Sequence, residues 1–110
     1  MDFTKVKIVT TAPSENADDI RQALGAAGAG VIGEYSVCSF SVIGKGYFTP
    51  SMNTKPYIGE PGRPEVVSEE RIEVTCNRQD AQSVIAALKS AHPYEEPICD
   101  IYPLLDIDKF

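Results

Sequence analysis

The chain has 110 residues, 43% of them apolar, enough to bury a hydrophobic core in one domain spanning residues 1–110 without disulfide staples. Its 10 Lys and Arg against 16 Asp and Glu leave a formal charge of −6, a field that repels phosphate and argues against nucleic acid and anionic membrane surfaces as partners. No stretch approaches the ~18 continuous apolar residues of a spanning helix, and Met1-Asp2-Phe3-Thr4-Lys5 shows no basic segment leading into an apolar run.

Lys5 to Thr11 alternates Val6 and Ile8 with Lys5 and Lys7, the period of a strand with one wet face. Pro13-Ser14 offers a turn and an N-cap, and Ala17, Ile20, Leu24 and Ala27 share one helical face ended by Gly28 and Gly30. From Tyr35 to Val42 the alternation puts Cys38, Phe40 and Val42 on one side and Val37, Ser39 and Ser41 on the other. Ile43-Gly44-Lys45-Gly46 then reads as a turn, making a hairpin with Tyr47-Phe48.

Thr49 to Pro64, rich in Pro and Gly, is a long loop. Val66 to Cys76 is extended, with Ile72, Val74 and Cys76 inward. Ala81, Val84, Ile85, Leu88 and Ala91 form the apolar stripe of a second helix, which Pro93 ends by denying His92 the α region. Pro97 to Leu104 is a last strand, before a short tail. A faint repeat, Ile8-Val9-Thr10 before Leu24 and Glu73-Val74-Thr75 before Leu88, gives two halves of a β-α-β-β-α-β arrangement. The fold class is therefore α+β: a ferredoxin-like, four-stranded antiparallel sheet with two helices on one face, plus a hairpin and a long loop. The mixed character of the other sheet face, Val9 among it, suggests packing against other subunits.

His92-Pro93-Tyr94-Glu95-Glu96 is the most chemically suggestive segment. An imidazole and two carboxylates in a segment stiffened by prolines suit copper, zinc or nickel, so His92, Glu95 and Glu96 are candidate metal ligands, in an intersubunit or weak site because one subunit is short of ligands. The alternative is architectural: His92 stands at a helix C-terminus, where an imidazole caps carbonyls and complements the dipole. Tyr94 and Glu95, with Cys38, are candidates for a small-ligand site. Cys38, Cys76 and Cys99 form no C-x-x-C pair and read as buried free thiols of a reducing, cytoplasmic setting. Glu69, Glu70, Arg71 and Glu73 read as a charged strand face with Arg71 in an ion pair. The Gly25–Gly33 cluster follows a helix instead of opening one, which removes the phosphate-cradle reading. With one histidine and no nucleophile near it in sequence, no catalytic residue is assigned.

Gly28 to Phe40, Pro56-Tyr57-Ile58-Gly59, His92 to Glu96 and Asp100 to Leu104 together resemble the inserted domain of the Nif-three-like, dinuclear-metal-centre family, itself similar to CutA and PII. The resemblance covers about Lys5 to Leu104 and implies a ferredoxin-like trimer with a regulatory or ligand-sensing role. The His-Pro-Tyr-Glu element is also similar to one in the CutA divalent-cation-tolerance proteins, which form trimers and are linked to copper. The family's metal ligands lie in flanking halves outside this stretch, so a free-standing insert implies no hydrolase or cyclohydrolase activity. The family pattern often carries a second histidine beside the cysteine, where this chain has Val37. The expectation is a non-enzymatic homotrimer that binds a small ligand or a divalent metal, with a protein-interaction scaffold as the alternative.

Overall fold

The computed structural model describes residues 2–110. Six main elements follow one another as β1 (Lys5–Pro13), α1 (Ser14–Ala26), β2 (Phe40–Phe48), β3 (Glu65–Asn77), α2 (Ala81–Ala91) and β4 (Cys99–Leu104). The strands form one antiparallel sheet in the order β2-β3-β1-β4, the ferredoxin-like arrangement that the two halves imply.

Period-two alternation sorts the sheet residues onto two faces. Val6 lies opposite Cys76, Ile8 opposite Val74, and Thr10 opposite Ile72. Val6, Ile8, Ile72, Val74 and Cys76 pack with Ala17, Ile20 and Leu24 of α1 and Val84 and Leu88 of α2 into one buried cluster. Val9 has Glu73 and Asp100 as its ladder partners and faces the other way, yet it too is buried. Around it that face carries an ion-pair row in which Glu73 lies 3.5 Å from Lys7 Nζ and accepts from Arg71 Nε at 3.2 Å. Phe40 and Val42, in register with Glu73 and Arg71, are 65% and 46% exposed.

The hairpin expected around Gly44-Lys45-Gly46 is not formed: β2 runs straight through these residues, pairing from Phe40 opposite Glu73 to Phe48 opposite Glu65. Neither glycine has a positive φ, so neither serves a turn, and Gly46 instead makes room for the Glu69 side chain. The hairpin is that of β2 with β3, and the Thr49–Pro64 loop joins its arms. Val37, Cys38 and Ser39 precede β2 in an irregular connection. Cys38 is consequently half-buried, as is Cys99, and only Cys76 is buried as expected; all three thiols are free. Within that connection Val37 has φ 57°, a left-handed conformation costly for a β-branched residue.

At α1 the N-cap position falls on Pro13 and carries no side-chain hydrogen bond, so the strand passes directly into the helix. Arg21 of α1 donates to Ser41 Oγ at 3.0 Å and to Glu70 Oε1 at 2.9 Å, fastening β2 and β3 to the helix. Glu70 thus leaves the charged strand face on which the sequence placed it, because alternation turns it to the side of Ile72.

Candidate functional site

Where β1 ends and β4 begins, the segment from His92 to Ile98 leaves α2 and crosses the end of the sheet. His92 ends the helix in an extended conformation, φ −77° and ψ 135°, while its backbone N–H still donates to the Leu88 carbonyl. Its ring does not cap the helix. Nε2 lies 2.8 Å from the Thr11 carbonyl of β1, and Nδ1 accepts the Tyr94 backbone N–H at 3.0 Å. Those two contacts define the tautomer: Nε2 carries the proton and Nδ1 is the acceptor. Burial, the largest influence, lowers the His92 pKa below its ordinary value against the opposing pull of the Thr11 hydrogen bond and Glu69.

That geometry aims Tyr94 at the sheet. Its hydroxyl donates to Glu69 Oε2 at 2.7 Å, and its ring meets those of His92, Phe48 and Tyr57 at centroid distances of 4.9, 6.0 and 6.2 Å. Burial first, and the bond to Glu69 second, push its pKa well above the usual phenol range. Glu69 is 6% exposed. It stands opposite Gly44 in the ladder, and its Oε1 lies so close to Gly46 that a Cβ there would collide with it. The loop closes the other side: Glu95 accepts the Lys55 backbone N–H at 3.2 Å, and Gly62 N–H donates to the Pro50 carbonyl at 2.6 Å.

Between these parts lies a half-open cavity of about 400 Å³, a volume within the range of small-molecule sites. Its walls are aromatic (Tyr47, Phe48, Tyr57, Tyr94), its hydroxyls come from Thr11, Thr49, Ser51 and Thr54, and its charges are Glu69, Glu95 and Glu96. Of the residues singled out from sequence, Tyr94, Glu95 and Glu96 meet here, whereas His92 lies behind Tyr94 and Cys38 is not part of the lining. Cys38 instead bonds back to the α1–β2 connection, its N–H donating to the Gly30 carbonyl at 2.8 Å.

Glu69 is the cavity-lining residue that sequence reasoning did not single out. Alternation alone puts it on the open face beside Arg71, and only the crossing segment and loop bury it. The ion pair expected of Arg71 is present, to Glu73. Within one chain, His92, Glu95 and Glu96 do not assemble a metal centre. Both His92 nitrogens are engaged, and among the described residues no three His, Cys, Asp or Glu side chains converge on one point.

No family-level sequence profile matches the chain. It is 46% identical over 98 residues to a GTP cyclohydrolase 1 type 2 homolog of Halalkalibacterium halodurans, and 47% identical over 98 residues to one of Bacillus subtilis. In each case the match takes in 89% of this chain and 26% of the relative, so the chain spans about a quarter of the length of those proteins. A Bacillus cereus protein related to NIF3 superposes with a TM-score of 0.81 at 42% identity, over 94% of this chain and 26% of that one. The periplasmic divalent cation tolerance protein CutA from Archaeoglobus fulgidus shares the fold over 91% of this chain and 83% of its own, with a TM-score of 0.65 at 22% identity. The chain thus shares the fold of CutA and is similar to a segment of about a quarter of the length of the GTP cyclohydrolase 1 type 2 homologs and of the NIF3-related protein.

Proposed function

We propose that the chain is a non-catalytic module that binds a small organic ligand in the cavity beside Tyr94 and works as a homotrimer in a sensing or regulatory role. The observation that carries this reading is the cavity: four aromatic residues and a buried carboxylate converge on it, the apolar-with-few-polar-groups composition of ligand pockets. Exposed Phe40, Val42 and Tyr102 support self-association, since an apolar patch beside an ordered ion-pair row marks a contact surface. The cyclohydrolase name belongs to relatives of which this chain covers 26%, and no reaction is taken from it.

The divalent cation tolerance for which the CutA proteins are named raises a metal-binding version, with Glu95 and Glu96 as exposed carboxylates and copper or zinc as the ion. It would require His92 to give up Thr11 or Tyr94, so the organic-ligand version is preferred. Calorimetric titration with copper and zinc separates the two. The preferred reading expects no saturable uptake that His92→Ala abolishes; such uptake would restore the metal version. Native mass measurement tests the assembly, with three chains expected and a stable monomer contradicting it.

A further inference from the structure

Resting on the cavity as a ligand site, the structure assigns its ligand a class: we infer that it takes an organic cation, an ammonium or guanidinium group on an apolar body, with Glu69 as counter-charge. Glu69 is 6% exposed, and among the described residues the one hydrogen bond to its carboxylate is that which Oε2 accepts from Tyr94. No Lys or Arg pairs with it among the described residues, although Glu70 and Glu73 beside it both have such partners. A carboxylate this far withdrawn from water gains when a cation meets its second oxygen, and that oxygen is not sealed off from solvent. Oε1 is that oxygen: it lies against Gly46, which itself lines the cavity.

The remaining walls complete the match. Tyr47, Phe48, Tyr57 and Tyr94 line the cavity with aromatic rings, whose faces attract a cation and whose apolar surface shelters its body. Glu95 and Glu96 add negative charge at the exposed rim, and no Lys, Arg or His lines the cavity. An anionic ligand would meet three carboxylates and no counter-charge. A bare divalent ion would find one buried carboxylate and too few further ligands. Gly46 has a reason in this arrangement, because any side chain there would fill the space beside Oε1.

The test is calorimetric titration of the whole chain with three probes of one shape: benzylammonium, benzyl alcohol and benzoate. Benzylammonium is expected to bind about tenfold or more tightly than benzyl alcohol, the advantage of a charge-assisted contact, and benzoate not to bind saturably. Glu69→Gln should erase the difference between the first two, while Glu95→Gln should reduce it only in part. If Glu69→Gln does not fold, the preference of the unaltered chain and its weakening by salt stand as the readout. Equal binding of benzylammonium and benzyl alcohol would overturn the cation assignment and leave the ligand cavity standing. No saturable binding of any of the three would overturn both.

Discussion

The Tyr94 hydroxyl donates to Glu69 Oε2 at 2.7 Å across 25 residues of sequence, joining the segment after α2 to the middle of β3. Around this one bond the aromatic cluster, the buried carboxylate and the wall of the cavity are all organised. Tyr94→Phe keeps the ring but strands Glu69 without its donor, and is expected to cost about 1–3 kcal/mol of stability. Urea unfolding of the two proteins measures it, and an unchanged midpoint would show that the bond contributes nothing.

The raised pKa of Tyr94 has a direct optical consequence. The folded chain holds the phenol neutral where the unfolded chain ionises it near 10, so this bond's contribution to stability is complete below pH 10 and is lost as the pH rises above it. Ultraviolet titration of the five tyrosines should show one resisting ionisation until the protein unfolds. In Tyr94→Phe that late-titrating tyrosine should be missing.

His92 acts at the other end of the scale. Its pKa is lowered below 6.5, chiefly by burial, so below that value the unfolded chain takes up a proton that the folded chain resists. The resulting contribution is present above pH 6.5 and falls away as the pH drops through the lowered value. Denaturant midpoints measured from neutral to mildly acid pH should decline, and the decline should be shallower in His92→Gln. Parallel curves would remove His92 as the cause.

Gly46→Ala tests the packing of the cavity floor. Its Cβ would strike the Glu69 carboxylate, and such overpacking costs typically about 1–3 kcal/mol. Gly44→Ala, two residues away with nothing near its would-be Cβ, should change stability far less. Equal thermal shifts in the two variants would contradict the placement of Glu69 against Gly46.

Val37 holds a left-handed φ of 57° while 56% exposed. Asn tolerates that region far better, so Val37→Asn is expected to raise stability by about 0.5–1 kcal/mol. A lowered melting temperature would show that the valine side chain contributes more by packing than its backbone costs.

How much of this was legible beforehand divides along physical lines. Both helices, the inward Ile72, Val74 and Cys76, and the long loop follow from local periodicity and from proline and glycine, which act within a few residues. Gly46 misled because glycine marks a close neighbour as readily as a turn, and the neighbour, Glu69, is distant in sequence. His92, Tyr94 and Glu95 stood out by their residue types, but sequence cannot show that both imidazole nitrogens are spent on Thr11 and Tyr94. Glu69 was hidden for the same reason: its burial comes from chain segments on either side of it that meet only in three dimensions.

A crystal structure of the chain grown with benzylammonium would examine the cavity most directly. The expected result is the ligand seated among Phe48, Tyr57 and Tyr94 with its nitrogen within hydrogen-bonding distance of Glu69 Oε1. A ligand bound elsewhere, or a Glu69 carboxylate paired with a cation of the protein itself, would contradict the proposed site.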